Sequence, residues 1–242
     1  MNQRRLRIFA GPNGSGKSSL IRLIQTYNIT FGYFINADEL ENQLHKKGID
    51  FAGFPFTVFE NELFDFITRS TLYDKAGGNN MLKSLSITQH HLSISNFQIN
   101  SYIAAIIADF LRKQLIKLGL RCSFETVFSD RTKIDTIQMA RENGYKVYLY
   151  YVATESVQIN IERVRNRVKL GGHNVSVDKI ESRYYKSLDL LLEIIQLTDR
   201  AFLFDNSDEL VQVAEAENGK EVKFLEPNIP GWMKQYIINK VL

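Results

Sequence analysis

Residues 11–19 read GPNGSGKSS, directly after the short apolar run RIFA at 7–10. Gly11, Gly16, Lys17 and Ser18 match G-x-x-x-x-G-K-[ST] at every required position. Glycines let a backbone curl so that successive N–H groups point inward, and a helix beginning at the lysine adds its positive end. Such a loop cradles phosphate. Gly11, Pro12, Asn13, Gly14, Ser15, Gly16, Lys17, Ser18 and Ser19 therefore form the expected nucleotide-binding segment. In it Lys17 reaches the terminal phosphates and the Ser18 hydroxyl ligates Mg²⁺. The ligand implied is of the ATP or GTP type, with Mg²⁺.

Outward from this loop, the chain alternates strand and helix signals. Leu20, Ile21, Leu23 and Ile24 have helical spacing over 17–25, so the glycine-rich segment is a strand-to-helix turn. GYFIN at 32–36 predicts a second short strand, followed by the helix-prone ADELENQLHKK. INSYIAAIIADFLRKQLIKLG predicts a long helix ending at Gly119, and LRCSFETVF a strand. RTKIDTIQMARENG reads as a helix closed by Gly144, and the Val- and Tyr-rich YKVYLYYVA as a strand. A stripe of Val157, Ile161, Val164 and Val168 marks the next helix, another runs from about 177 to 197, and RAFLFDN is the expected last core strand. Alternating strands and helices imply an α/β architecture, a mostly parallel sheet covered on both faces. The stretch 48–98, aromatic-rich and then polar, is an expected insertion, helical in character, in a single domain spanning 1–242.

Composition narrows the class. The 242 residues are 44% hydrophobic and 12% aromatic, enough for a substantial core. Net charge is +3, from 30 basic and 27 acidic residues, which argues against a nucleic-acid partner on global electrostatics. The single cysteine, Cys122, excludes an intramolecular disulfide and a multi-cysteine zinc site, in keeping with a reducing cytosol. IFAG is too short for a signal-peptide core, and no run of about 18 apolar residues could span a membrane. A cytoplasmic chain with no membrane partner is expected.

Two apolar strands end in aspartate, YFINAD at Asp38 and AFLFD at Asp205. A nucleotide-driven motor needs such an aspartate for magnesium and a glutamate for water, and neither ADEL nor FDNSDEL supplies a compelling set. Nothing resembles the LSGGQ signature of transporter ATPases. A kinase needs instead a carboxylate that takes the proton of an attacking hydroxyl, and arginines that stabilise the phosphoryl group in flight. Asp38 sits where the second strand ends, the edge at which such sheets bind ligands; it is equally placed to cap the helix that follows. Glu125 in SFETVF reads as a carboxylate contacting substrate or a magnesium-bound water, or else as a paired structural glutamate. Arg163 and Arg167, four apart, share a helix face; a GGH hinge and a helix carrying Arg183 complete an expected lid over about 160–185. A solvated basic face is the plainer reading of any one of these arginines. His173 is a loop histidine with a substrate contact as its one functional reading.

Taken together, GPNGSGKSS, INADEL, FETVFS, GYKVYLYYV and the stretch from RVRNRVKLGGHNV to RYYKSL resemble the zeta-toxin family of P-loop kinases, and especially its small stand-alone branch. The resemblance covers about residues 5–206. It implies a three-layer P-loop kinase fold with a helical lid, and transfer of the ATP γ-phosphate to a hydroxyl of a small acceptor, in that family a sugar hydroxyl of UDP-N-acetylglucosamine. Carried over, Lys17 and Ser18 contact ATP and Mg²⁺, Asp38 is the general base, Glu125 lies on the substrate side, and Arg163, Arg167 and Arg183 serve the lid. Asn206 in DNS would lie near the adenine. The resemblance further implies an antitoxin protein as a partner. The chain departs from the family in NVSVD after GGH, where a proline is frequent, and in 48–98, which matches no family motif and would lie where the acceptor is chosen.

Two other readings stand beside it. In one, the protein is a nucleotide-switched regulatory module whose slow hydrolysis resets its state. In the other, the basic lid serves a nucleic-acid end kinase.

Overall fold

The computed structural model describes residues 3–172 and 174–241. Leu6, Ile8 and Ala10 alternate with Arg7 and Phe9 along β1 (Arg5–Ala10), and all five are buried, because the strand lies inside the sheet with cover on both faces. The chain continues through α1 (Lys17–Thr26), β2 (Tyr33–Ile35), α2 (Ala37–Lys46), β3 (Ile49–Asp50), α3 (Glu60–Thr68), α4 (Tyr73–Ala76), α5 (Gly78–Ser84), β4 (Leu85–Thr88), β5 (His91–Ile94) and α6 (Ser101–Lys117). Then follow β6 (Cys122–Thr126), α7 (Thr132–Glu142), β7 (Lys146–Ala153), α8 (Val157–Lys169), α9 (Val177–Asp189), α10 (Leu191–Gln196) and β8 (Arg200–Asp205). The chain closes with β9 (Val211–Glu217), β10 (Glu221–Phe224), α11 (Gly231–Met233), a π-helical turn at Lys234–Ile238 and α12 (Asn239–Val241).

Seven strands form the main sheet in the order β10-β9-β8-β7-β1-β6-β2. The pairs β1–β6, β1–β7 and β7–β8 are parallel, as expected where helices connect the strands. The sheet does not end at β8, contrary to the sequence expectation. The antiparallel strands β9 and β10 extend it. Their charged, alternating sequences, VQVAEAE and EVKF, suit a solvated edge and carry little of the apolar signal of a core strand. The helix expected over 177–197 is also divided, into α9 and α10 at Leu190.

The chain separates into two compact units, Met1–Phe34 with Ile116–Leu242, and Ile35–Leu115. In the first, register aligns Phe9, Tyr150 and Phe202 across three adjacent strands, and their rings stack with centroids 5.0 Å apart in each pair. Each such pair adds about 0.5–1.5 kcal/mol beyond area burial. Leu20 and Ile24, four apart on α1, pack on this ladder and so fix the helix that starts at the phosphate loop.

The second unit differs from its expectation. Beside α2–α6 it contains a three-stranded antiparallel sheet, β3-β5-β4, in a stretch read as helical or loop-like. Gln89 and His90, at φ 48° and 68°, turn β4 into β5. Such a tight hairpin usually advertises itself with Asn-Gly or Asp-Gly, and here the left-handed positions carry neither. Ile49, Phe51, Leu63, Ile67, Met81, Leu85 and Leu92 are buried in this unit.

Candidate active site

Because β1, β6, β7 and β8 run parallel, their C-terminal ends share one edge of the sheet, and the loops that follow them build the site. The loop after β1 is the glycine-rich one. A Cβ on Gly11 would lie 2.1 Å from the Val152 carbonyl oxygen, and one on Gly16, at φ 104°, would lie 2.1 Å from Asn206 Nδ2. Glycine is therefore demanded twice by close backbone and side-chain approach.

Lys17 opens α1 and is buried, its Nζ donating to the carbonyls of Gly11 (3.0 Å) and Pro12 (3.1 Å). Glu125, near the end of β6 and in register with Phe9, brings its carboxylate to 3.8 Å from the same ammonium. The lysine is thus held along the loop by its own carbonyls and faces a carboxylate from the neighbouring strand.

This loop fits a phosphate-bearing ligand. The N-terminus of α1 has no side-chain cap and no acidic residue in its first turn, so its N–H groups and positive end await an anion. The buried Ser15 Oγ and Asn13 Oδ1 lack a hydrogen-bond partner among the described residues. Ser18, the expected Mg²⁺ ligand, is exposed in the first turn of α1. Among the described residues no group of three His, Cys, Asp or Glu is arranged around a metal. A magnesium held by one hydroxyl, phosphates and water needs no such group.

The other walls come from β7 and β8. Asn206 lies just past β8; its Nδ2 donates to the Ser15 carbonyl at 2.8 Å and its backbone N–H to Ala153 O at 2.9 Å. Arg163 of α8 donates to the carbonyls of Asn206 (2.6 Å) and Ser207 (3.0 Å). It therefore ties down the loop after β8. Arg167 is exposed in the last turn of α8, and Arg183 is half-buried on α9. His173 lies outside the described residues.

Asp38 is exposed in the first turn of α2, within the second unit. Asn36, not Asp38, caps that helix: its side chain accepts from Asp38 N at 2.9 Å and from Glu39 N at 3.3 Å. The Asp38 carboxylate is left without a hydrogen-bond partner among the described residues.

Asp205, the other strand-ending aspartate, is engaged structurally. It accepts from Ser207 N (2.9 Å), Ser207 Oγ (3.1 Å) and Trp232 Nε1 (2.8 Å). Those bonds answer for it where a motor's magnesium ligand was one reading. Sequence reasoning also missed Thr154 and Asn160. Both are buried, Thr154 Oγ1 bonds Asn160 Oδ1 at 2.5 Å, and Gly14 packs against the Asn160 backbone. Tyr184 completes this buttress by donating to Thr154 O at 2.7 Å, and burial pushes its hydroxyl pKa up, so it remains a neutral donor. Asn160 left one signal, an amide one residue before Ile161 on an otherwise apolar stripe.

A mostly parallel sheet with a phosphate loop between its central strand and first helix defines a P-loop protein of the kinase-like fold. Comparisons with known proteins agree. The PezAT chromosomal toxin-antitoxin system of Streptococcus pneumoniae matches with a TM-score of 0.55 at 15% identity, over 98% of this chain and 80% of that one. The AvrRxo1-ORF1:AvrRxo1-ORF2 complex matches in a form with sulphate ions (TM-score 0.54, 16% identity, 93% of this chain, 62% of that one). Its form with ATP matches with a TM-score of 0.52 at 18% identity, over 92% and 61%. At these identities the likeness is one of fold, and at that level the zeta-type resemblance holds. An uncharacterized protein of Haemophilus influenzae is 36% identical over 69 residues, 28% of this chain, so the match spans about half (49%) of that relative's length. No protein-family model matches the chain. No helix among the described residues is long and apolar enough to cross a membrane.

Proposed function

We propose that the protein is an ATP-dependent kinase that transfers the γ-phosphate to a hydroxyl of a small acceptor, a nucleotide sugar being the class to test first. The observation that carries this reading is the phosphate loop itself: an uncapped helix N-terminus, a buried lysine beside Glu125, and orphaned polar atoms at Asn13 and Ser15. The folds that match it include one captured with ATP, which supports the choice of nucleotide.

In the proposed reaction the acceptor oxygen attacks the γ-phosphorus, the bond to the β–γ bridging oxygen breaks, and ADP leaves with that electron pair. The hydroxyl proton passes to Asp38, an exposed carboxylate with no hydrogen-bond partner among the described residues. Lys17 and the first-turn amides of α1 hold the terminal phosphates. Ser18 would hold Mg²⁺, which when bound would offset charge on the phosphate oxygens. Arg167 and Arg183 are the lid cations of this scheme, while Arg163 shapes the nucleotide loop. Glu125 orients Lys17 or substrate.

Because one neighbour of this fold is a toxin-antitoxin system, the proposal includes an antitoxin-type protein partner. Growth of cells expressing wild type and Lys17→Ala at equal levels tests that part; equal growth speaks against it. The reaction is tested with γ-labelled ATP against nucleotide sugars, nucleosides and oligonucleotides, with Asp38→Asn as control. A labelled nucleotide sugar that vanishes with Asp38→Asn supports the proposal. Label found only as free phosphate would favour the nucleotide-switched module, and label on an oligonucleotide 5′-hydroxyl the end kinase.

A further inference from the structure

The chain contains a single tryptophan, Trp232, and it is 2% exposed. Its burial alone would be ordinary core packing, with the ring 6.3 Å from that of Tyr151. Its polar edge is less ordinary. The indole N–H donates at 2.8 Å to Asp205, an acidic residue at the last position of β8. The same carboxylate accepts the N–H and hydroxyl of Ser207, two residues further on. One residue away, Gly231 donates its backbone N–H to both carboxylate oxygens of Glu155, at 2.9 and 3.0 Å, and Glu155 N in turn donates to Ser207 Oγ at 2.8 Å. Between Asp205 and Ser207 stands Asn206, whose amide bonds the Ser15 carbonyl of the phosphate loop.

These bonds form an unbroken path. It runs from the segment at 231–233, through two carboxylates and a serine, to the loop that supports Ser15 and Gly16. Bonds in which one partner is charged are the stronger kind, and here the segment holds the loop from both sides. We infer that Trp232 is a positioning residue for nucleotide binding: through Asp205 it holds Asn206 against the phosphate loop, so that loosening the C-terminal segment weakens the nucleotide site. The inference rests on the phosphate-loop reading above and adds to it a control point at 231–233, remote in sequence from that loop. A partner that pulled this segment away would lower nucleotide affinity without touching the glycine-rich turn.

Coupling of this kind is reciprocal, since whatever strengthens nucleotide binding through the segment must also be strengthened by nucleotide. The test uses the full chain and ATP with Mg²⁺ in calorimetry. Trp232→Phe keeps a smaller aromatic ring and deletes the pyrrole part of the indole with its N–H donor, and is expected to raise the Kd by about tenfold. Ile237→Val, a buried change in the same segment with no part in this path, is expected to leave Kd unaltered. In the wild type, ATP is expected to slow hydrogen exchange at 231–233 by about tenfold, a readout that needs no variant to fold. An unaltered Kd with Trp232→Phe, or exchange that ATP does not slow, overturns the inference and leaves the phosphate loop standing. Absence of ATP binding by the wild type overturns the phosphate-loop reading itself.

Discussion

The phosphate loop and the 35–115 unit are organised on different physical principles. In the loop, each demand is local and steric. Gly11 has the Val152 carbonyl 2.1 Å from where a Cβ would sit, and Lys17 finds its partners five and six residues back. In the 35–115 unit, Leu63, Ile67, Met81 and Leu92 are buried from two helices and a strand scattered over some thirty positions, and the hairpin at Gln89–His90 has no signature dipeptide. The first kind of order is written in a few consecutive residues. The second emerges only when distant apolar side chains meet.

Variants can break or sharpen that contrast. The largest effect is expected for Asp38→Asn, a loss of transfer of about 10²- to 10⁴-fold with ATP affinity retained. Transfer assays paired with calorimetry check it, and a parallel loss of ATP affinity would show that the 35–115 unit takes part in holding nucleotide. Leu63→Ala, in the core of that unit, is expected to cost about 2–5 kcal/mol in a thermal or denaturant melt. If ATP affinity well below the melting transition stays at the wild-type value, the two units do separate jobs. Gly11→Ala introduces a Cβ against the Val152 oxygen and is expected to cost about 3 kcal/mol, with ATP affinity falling as well. The smallest effect is expected for Asn36→Ala, about 1 kcal/mol from the lost cap of α2, with the melt rather than the catalytic rate as its readout. A rate that fell with it would make the placement of Asp38 depend on the cap.

Much of the first unit is legible in the sequence. The parallel strands β1, β6, β7 and β8 were each announced by an apolar run, and the helix stops by Gly119 and Gly144. The extra strands β9 and β10 were not, because VQVAEAE and the edge strand EVKF carry charge at alternate positions and so look like loops. Asp38 was legible as a carboxylate at the start of a helix. That Asn36 takes the cap two residues earlier is a matter of side-chain geometry, which residue type alone cannot rank between Asn and Asp.

By itself, then, the sequence determined the phosphate loop, its order between strand and helix, and the parallel sheet, because glycine spacing and apolar periodicity act over neighbouring residues. Only the tertiary structure decided what surrounds that loop. Arg163 turned out to bind the carbonyls of Asn206 and Ser207, Asp205 to hold Trp232, and Asn160 to sit behind Gly14. Those partners are 27 to 146 positions apart in the chain, and a hydrogen bond is decided by ångström-scale distance and angle, which composition and spacing do not encode.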